Sequence, residues 1–327
     1  MQSKKTISYL LKIGIVAFAL YFLYQQLYSK SSVSDFNISH ILLRLQENYL
    51  VIILVILMMF LNWFLESLKW RVLISKIENV TIKRSIRAIF SGITISAFTP
   101  NRVGEYGGRI FCLDKADRIQ AVLITVIGSM AQLVTTIVFG LTGILLLPNL
   151  MPEFDEFLSQ FIFAYPMMLF IIILLNVLLV TLFLNASLLS TVLSKIKLFR
   201  NFTKYNEVFS FYSYSELLEV LLYSIARYAV FTSQFFILLH LFDVHVSFVD
   251  GFILIPTMLF FISIIPTIAI TEIGVRGSLA LFFFGLVSGN VVGILSATFV
   301  MWIINLLLPA LIGMIFIFSL KFFRRQC

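Results

Sequence analysis

The chain has 327 residues, of which 60% are hydrophobic and only 12% are charged, with a mean hydropathy of +1.03. Soluble globular domains carry about 25% charged residues, and no soluble core could bury this much apolar surface. The composition therefore excludes a soluble globular protein and predicts an all-α polytopic membrane protein. The net charge of +8 comes from Lys and Arg in short loops beside apolar runs, which favours membrane headgroups over nucleic acid as partners.

Six apolar stretches are long enough to cross a bilayer, which takes about 20 predominantly apolar residues. They cover about 7–27, 49–68, 119–147, 161–184, 217–242 and 291–318. The first stretch contains Ala17-Phe18-Ala19, which is similar to a signal-peptide cleavage site but lies inside the apolar run. We therefore expect an uncleaved first helix rather than a removed signal peptide.

The basic residues predict the topology, because Lys and Arg collect in cytoplasmic loops. Most of them fall in the segments 69–87, 102–118, 195–204 and 321–325, whereas the loops 151–160 and 243–250 contain none. One topology satisfies this distribution, with both termini in the cytoplasm and the chain in a plasma or inner membrane.

Two further apolar stretches do not fit as simple spans. The stretch 86–98 is too short and has basic residues on both sides, so it is predicted to enter from the cytoplasm and turn back by residue 109. The stretch 252–270 contains two prolines, each of which removes a helix hydrogen bond. The topology requires the segment 252–288 to start and end outside, and we predict a second re-entrant hairpin there. The alternative is two full spans, the second beginning at residue 278.

A short motif occurs twice and indicates an internal repeat. Glu105 to Arg109 and Glu272 to Arg276 both read Glu-x-Gly-x-Arg, and each follows an apolar stretch that ends near a proline. The two copies have opposite predicted orientations, as in the inverted repeats of many secondary transporters. The sequence thus predicts one transmembrane domain, 1–327, with about six full helices and two re-entrant hairpins. Its parts are a first helix (7–27), repeat 1 (49–147), a linking helix and cytoplasmic loop (161–214) and repeat 2 (215–320).

Ionisable residues at membrane depth are energetically expensive and are typical of functional sites. The candidates for substrate binding are Arg102, Glu105, Arg109, Arg227, Glu272 and Arg276, supported by Asn62, Glu66, Gly104, Gly107 and Gly274. Arginine suits a phosphate because its planar fork donates two hydrogen bonds at once. The structural alternative is that each i,i+4 Glu–Arg pair only holds its own segment together.

The second and fifth predicted spans carry the remaining polar residues. Asn62 and Glu66 share one helix face, whereas Lys69 is expected to extend to the membrane interface. Arg227 lies near mid-membrane and needs a partner, for which we predict Glu272. Gln132 and Gln234 are expected to bridge neighbouring helices.

No catalytic or metal site is predicted. The three histidines have no ligand or triad spacing with acids or cysteines, and the two cysteines show no CxxC pattern. Motifs of hydrolases, metalloproteases and P-loop NTPases are also missing from the sequence. We therefore expect no enzyme activity, no catalytic residues, no metal and no cofactor.

The segments Pro100 to Glu105 and Glu272 to Arg276, together with Asn62, Glu66, Trp70 and the Arg227-Tyr228 pair, resemble the lysylphosphatidylglycerol synthase transmembrane-region family, also called flippase-like. The resemblance covers about residues 7–320. It implies a lipid-translocating membrane domain with two re-entrant elements. Some relatives carry a fused aminoacyl-lipid synthase domain, but these 327 residues contain no such region, so aminoacylation of lipid is not expected.

The expected function is therefore movement of a phosphate-bearing lipid, or a lipid-linked headgroup, between leaflets. Arg109, Arg227 and Arg276 would hold the phosphate, while Glu105 and Glu272 would pair with them or carry a proton or cation. An ion gradient or the lipid gradient would supply the energy, and membrane lipids, above all anionic ones, are the expected partners. The alternatives are a membrane enzyme or an accessory or scaffold subunit in lipid or cell-envelope glycolipid synthesis, or a small-solute transporter. The sequence is compatible with an oligomer.

Overall fold

A computed structural model describes residues 38–97, 99, 102–150, 164–185, 207–265 and 269–317. The predicted first helix, the acidic loop 151–160 and most of the basic linking loop lie outside these ranges. Within them the regular secondary structure is helical. The α-helices are α1 Ile38–Glu47, α2 Tyr49–Ile74, α3 Ile82–Ser96, α4 Gly104–Ile110, α5 Arg118–Leu146, α6 Ala164–Leu184, α7 Tyr214–Leu241, α8 Phe248–Ile264, α9 Ala269–Phe284, α10 Val291–Trp302 and α11 Leu308–Ile317.

Five helical segments of the described ranges are long and apolar enough to cross a membrane. They are Tyr49–Ile74, Arg118–Leu146, Pro166–Leu184, Tyr214–Leu241 and Val291–Phe316. These correspond to five of the six predicted spans, and the sixth falls on residues 7–27. Many of their large apolar side chains are exposed, among them Leu57 on α2 and Phe170 on α6. Lipid tails must cover this surface, so a multi-pass all-α membrane protein is confirmed.

Polar side chains define where several of these helices begin. Asp117 caps α5 by accepting hydrogen bonds from the backbone N–H groups of Ile119 and Gln120. Ser213 and Glu216 form a capping box at the start of α7. Both arrangements satisfy N–H groups that a helix leaves without internal partners.

Two short helices, α3 and α8, each end at a break that is followed by another helix. They have 15 and 17 residues, or about 22 and 26 Å, which is less than the hydrocarbon thickness of about 30 Å. Pro256 is accommodated inside α8, and the break instead follows Ile264. α3 packs on α4 and α11, α8 packs on α5 and α9, and α2 packs on α7.

The last span contains a π-helical turn, Ile303–Leu307, between α10 and α11. Such turns often occur at functional sites because the extra residue redirects neighbouring side chains. Here the turn buries Asn305 in the middle of the bundle, where 8% of the residue is exposed.

The contact between α3 and α4 depends on two glycines. A Cβ atom built on Gly108 would lie only 2.5 Å from the Cα atom of Gly92. No larger residue fits at this approach, so the two helices pack backbone to backbone. This brings the Glu105 and Arg109 side chains of α4 into the bundle.

Glu78 joins two loops at the basic side of the bundle. Its carboxylate accepts hydrogen bonds from the backbone N–H groups of Asp114, Lys115 and Ala116 at 2.8–3.1 Å, and it lies 2.9 Å from Arg84. Burial alone would raise the pKa of Glu78, but these donors and the arginine outweigh burial and hold the pKa below its usual value. The interaction therefore stabilises the fold in the ionised form.

We expect Glu78→Gln to lower the free energy of unfolding by about 1–3 kcal/mol at neutral pH, because an amide accepts these hydrogen bonds less well. A depressed pKa contributes stability above the unfolded pKa and loses it as the pH falls through the folded pKa. The difference between wild type and Glu78→Gln should therefore shrink on acidification. Thermal unfolding in detergent between neutral and acidic pH measures it, with the exposed Glu47→Gln as control. A difference that does not change with pH would contradict this explanation.

Candidate functional site

α2 carries a buried polar face in the middle of the bundle. Asn62, Glu66 and Lys69 lie at helical spacing on α2, and each is at most 4% exposed. Burying charged groups of this kind is unfavourable unless each one is paired and hydrogen-bonded. The contacts of this face therefore show which helices must pack around α2.

Glu66 is the common partner of three cations. Its carboxylate lies 2.7 Å from the Lys69 ammonium and 2.9 Å from the Arg109 guanidinium, and it is also paired with Arg227. Arg109 comes from α4 and Arg227 from the middle of α7, so one side chain connects three helices. Arg109 is also paired with Glu105, one turn earlier on α4. We refer to Glu66, Lys69, Glu105, Arg109 and Arg227 as the Glu66 cluster.

Lys69 was expected to extend to the membrane interface, and this prediction is wrong. The residue is 1% exposed, and its ammonium group donates hydrogen bonds to the Gly128 carbonyl oxygen on α5 and to Ser224 on α7. Since Gly128 has no side chain, α5 approaches α2 closely and closes the path to the interface. Lys69 is thus held inside the bundle by Glu66 and two neutral oxygens.

Arg227 has several further contacts. Its guanidinium donates to the side-chain and backbone oxygens of Asn62 at 3.0 and 3.2 Å and to Gln132 at 3.2 Å. It also lies 5.3 Å from the ring centre of Trp63, within the range of a cation–π interaction. The predicted pair between Arg227 and Glu272 is therefore wrong, because Glu66 is the carboxylate at its own depth.

Three other residues form a second ionic group, the Glu272 cluster. Glu272 and Arg276 lie one turn apart on α9, with their closest atoms 2.6 Å apart. Arg102, which precedes α4, donates to both oxygens of the Glu272 carboxylate at 2.8 and 3.1 Å. Arg102 therefore connects the segment that leads into α4 with the Glu-x-Gly-x-Arg segment of α9.

Arg102 differs from the other cations of the site in two respects. Its φ angle is +56°, in the left-handed region that is unfavourable for residues other than glycine. Its side chain is 38% exposed, whereas that of Arg109 is 3% exposed. A strained backbone and an exposed side chain make the Arg102–Glu272 contact easier to break than the contacts of Glu66.

The two clusters face one central cavity of about 90 Å³. It is lined by Asn62, Trp63, Arg102, Arg227, Phe231, Glu272, Arg276, Met301, Trp302, Asn305 and Leu306. Three arginines and one carboxylate therefore face the same space. Across the two clusters, five cations oppose three carboxylates, which leaves a net charge of +2.

Three residues that line the cavity carry buried hydrogen-bonding atoms that have no partner in the described part of the chain. The indole N–H groups of Trp63 and Trp302 donate to nothing, and the side-chain oxygen of Asn305 accepts nothing. Buried polar atoms are nearly always hydrogen-bonded in folded proteins. Together with the arginines, the indoles make a site rich in donors, which suits the oxygens of an anion.

All the charged residues singled out in the sequence are brought together by the fold. Arg102, Arg227, Glu272 and Arg276 line the cavity, while Glu105 and Arg109 reach it through Glu66. The predicted bridging roles of Gln132 and Gln234 are also confirmed, since Gln132 connects α5 to α7 and Gln234 donates to the Val55 carbonyl oxygen on α2.

The predicted glycines have different surroundings. A Cβ atom on Gly104 would lie 2.7 Å from the Ile95 carbonyl oxygen, so this glycine permits the tight break between α3 and α4. At Gly107 the nearest atom, on Phe111, would be 3.9 Å away, an ordinary contact. Gly274 lies inside α9 between Glu272 and Arg276.

Trp63, Trp302 and Asn305 were not predicted from the sequence. Tryptophan in a membrane protein usually lies at the lipid–water interface, so a role inside the bundle is difficult to predict from the sequence. The only available signal was position, because Trp63 follows Asn62 on a helix with an obvious polar face, and Asn305 interrupts an otherwise apolar span.

We expect Glu66→Gln to destabilise the protein by about 3–5 kcal/mol, because three buried cations would lose their shared carboxylate. Adding Arg227→Gln should then restore part of the loss, since one of those cations is removed. Thermal unfolding of the two single variants and the double variant measures this coupling. The exposed Lys83→Gln serves as control, and strictly additive losses would show that the two side chains do not interact.

A comparison with protein families accounts for nearly the whole chain. The family model described as the lysylphosphatidylglycerol synthase TM region matches residues 9–322, which include both charged clusters. No curated protein and no solved structure shows significant similarity to the chain. The chain therefore belongs to the lysylphosphatidylglycerol synthase TM-region family.

Proposed function

We propose that the protein moves a phosphate-bearing lipid, or a lipid-linked headgroup, between the leaflets of a cell membrane. The observation that carries the proposal is the central cavity, in which three arginines and two unpaired indole donors meet inside a membrane-spanning bundle. A net positive site inside the bundle favours an anion, and phosphate offers the acceptor oxygens that these donors require.

In this proposal the carboxylate of Glu272 takes the place of the substrate when the site is empty. It pairs with both Arg102 and Arg276, which would otherwise be left without a carboxylate. An arriving phosphate competes for both guanidinium groups and releases Glu272, which is then free to accept a proton or another cation. Because Arg102 is the more exposed partner, its contact with Glu272 opens first.

The proposed architecture is an inverted repeat made of residues 49–147 and 215–320 within one transmembrane domain. It is supported by the matching order of elements, in which a long helix precedes a broken helix pair and another long helix follows. Packing supports it as well, since α3 of the first half lies on the last span of the second, and α8 of the second lies on α5, the last span of the first. In such a repeat α3 with α4, and α8 with α9, are re-entrant elements entered from opposite sides, with both termini cytoplasmic.

A structural role is the competing proposal, and the pairing of Glu66 with three cations favours it. If the clusters served folding alone, the protein would act as a scaffold or accessory subunit in lipid or envelope synthesis. The two proposals differ at the central cavity, because a scaffold gains nothing from the unpaired indole N–H groups of Trp63 and Trp302. Neither proposal assigns covalent chemistry to the protein.

We expect Arg276→Ala to slow lipid flipping at least about tenfold, the effect of losing roughly 1.4 kcal/mol of interaction with the phosphate. Arg276→Lys keeps the charge but loses the planar fork and should give an intermediate rate. The measurement is the transbilayer movement of a labelled anionic phospholipid in liposomes that contain the purified protein. Lys83→Gln, an exposed charge removal on α3, is the matched control.

Equal rates for wild type and Arg276→Ala would contradict the site assignment. If the wild type moves no lipid and the variant lowers only the unfolding temperature, the scaffold proposal is favoured. Mass spectrometry of the recovered lipid separates transport from catalysis, because an enzyme would change the mass of the lipid while a transporter would only relocate it.

A further inference from the structure

A second cavity, which we call the lateral groove, lies between α7 and α8 and includes Phe139 of α5. Its volume is about 320 Å³. On α7 it extends from Ile225 to Ile237, a rise of about 18 Å along the helix. One end therefore lies at the level of Arg227 in the central site, and the groove runs from there toward the C-terminal end of α7.

Small residues shape the groove: on α7 they leave it open, and on α8 a glycine lets the two helices approach each other. Ala229 and Ser233 lie one turn apart on α7 and are both exposed. On α8, Gly251 faces Phe236, and a Cβ atom there would lie 2.7 Å from the phenyl ring. A larger residue at that position would push α7 and α8 apart. Thr232 also lines the groove, but its hydroxyl donates to the backbone carbonyl oxygens of Tyr228 and Ala229. The rest of the lining is aliphatic or aromatic, so the space is suited to hydrocarbon.

Tyr228 marks the end of the groove nearest the central site. It is 6% exposed, it lines the groove, and its hydroxyl group has no hydrogen-bond partner among the described residues. Phe139 stacks on its ring with the ring centres 4.9 Å apart and thereby fixes its orientation. A buried hydroxyl needs an acceptor, and the oxygens that join the headgroup of a lipid to its chain would provide one.

We propose that the lateral groove binds one hydrocarbon chain of the lipid whose phosphate occupies the central cavity. In this arrangement the Tyr228 hydroxyl donates to an ester or phosphodiester oxygen between headgroup and chain. The identity of the headgroup rests on the proposed function, whereas the chain site rests on the groove and on Tyr228.

The lining favours a lipid chain over a protein helix as the occupant. It is mostly apolar, and its buried Tyr228 hydroxyl needs an acceptor oxygen, which a lipid offers next to its chain and an apolar helix face does not. A single extended hydrocarbon chain is thin enough to lie between α7 and α8. Arg227 of the central cavity and Tyr228 of the groove are neighbours on α7, so the two sites lie at the same level of this helix.

The test uses the purified protein in nanodiscs of phosphatidylcholine with a trace of phosphatidic acid that carries a photoreactive diazirine in mid-chain. After illumination, mass spectrometry locates the labelled peptides. We expect the label on residues 225–237 and 248–256. In the Ala229→Phe/Ser233→Phe double variant, the added rings fill the groove, so labelling of these peptides should fall at least about tenfold. Leu222→Phe, which adds the same ring at an exposed position of α7, should label as the wild type does. Tyr228→Phe should reduce labelling to a lesser extent.

Three results of the labelling experiment would overturn the chain site. They are labelling outside these peptides, labelling that the double variant leaves unchanged, and equal labelling by a diazirine phosphatidylcholine at the same concentration, which would indicate ordinary boundary lipid. A photoreactive residue at Ser233 that cross-links to residues 7–27 would assign the groove to the predicted first helix instead and would also overturn it.

The outcome can be separated from that of the proposed function. A water-soluble phosphate lipid with very short chains should compete with the labelled phosphatidic acid for the central cavity. It should do so equally well in the wild type and in the Ala229→Phe/Ser233→Phe variant. If long-chain labelling persists while Arg276→Ala flips lipid at the wild-type rate, the transport proposal fails and the chain site stands. If short-chain competition is normal but the groove is never labelled, the chain site fails and the headgroup site stands.

Discussion

The architecture depends on the need to pair charge where water is absent. Glu66 on α2 is surrounded by Lys69, Arg109 and Arg227, and any of these cations left alone at that depth would be strongly unfavourable. Because the cations come from α2, α4 and α7, their contacts fix the positions of three helices together. Apolar surface explains why these helices lie in the membrane. Their rotation relative to one another is set by the contacts with the Glu66 carboxylate.

The two charged clusters differ in burial and in the number of partners of each cation, and this difference supports separate roles for them. In the Glu66 cluster Lys69 and Arg109 are almost fully buried, and all three cations are held by additional oxygens or by a second carboxylate. In the Glu272 cluster one carboxylate is shared by Arg276 and by the partly exposed, left-handed Arg102. The first cluster has the properties of an anchor, and the second has those of a contact that can exchange partners.

Local pattern accounts for what the sequence could predict. The long apolar runs gave five spans within a few residues, and the i,i+4 spacing gave both Glu–Arg pairs. The errors concern contacts between distant helices. A mid-membrane arginine requires a carboxylate, but periodicity cannot tell whether Glu66 or Glu272 lies at its depth. Lys69 was misassigned because nothing in its own helix reveals that Gly128 lets α5 close over it.

A carrier must release what it binds, and the Glu272 cluster offers a physical route to release. Arginines without counter-charge would bind a phosphate so tightly, in a medium of low dielectric constant, that dissociation would be slow. With Glu272 present, the proposed binding would exchange one set of ion pairs for another, so only the difference between the two sets would contribute to affinity. Glu66 would keep Arg227 in place during this exchange, while Arg102 and Arg276 would change partners. In the proposed mechanism, the same carboxylate that makes the empty site tolerable in lipid therefore also keeps the loaded site reversible.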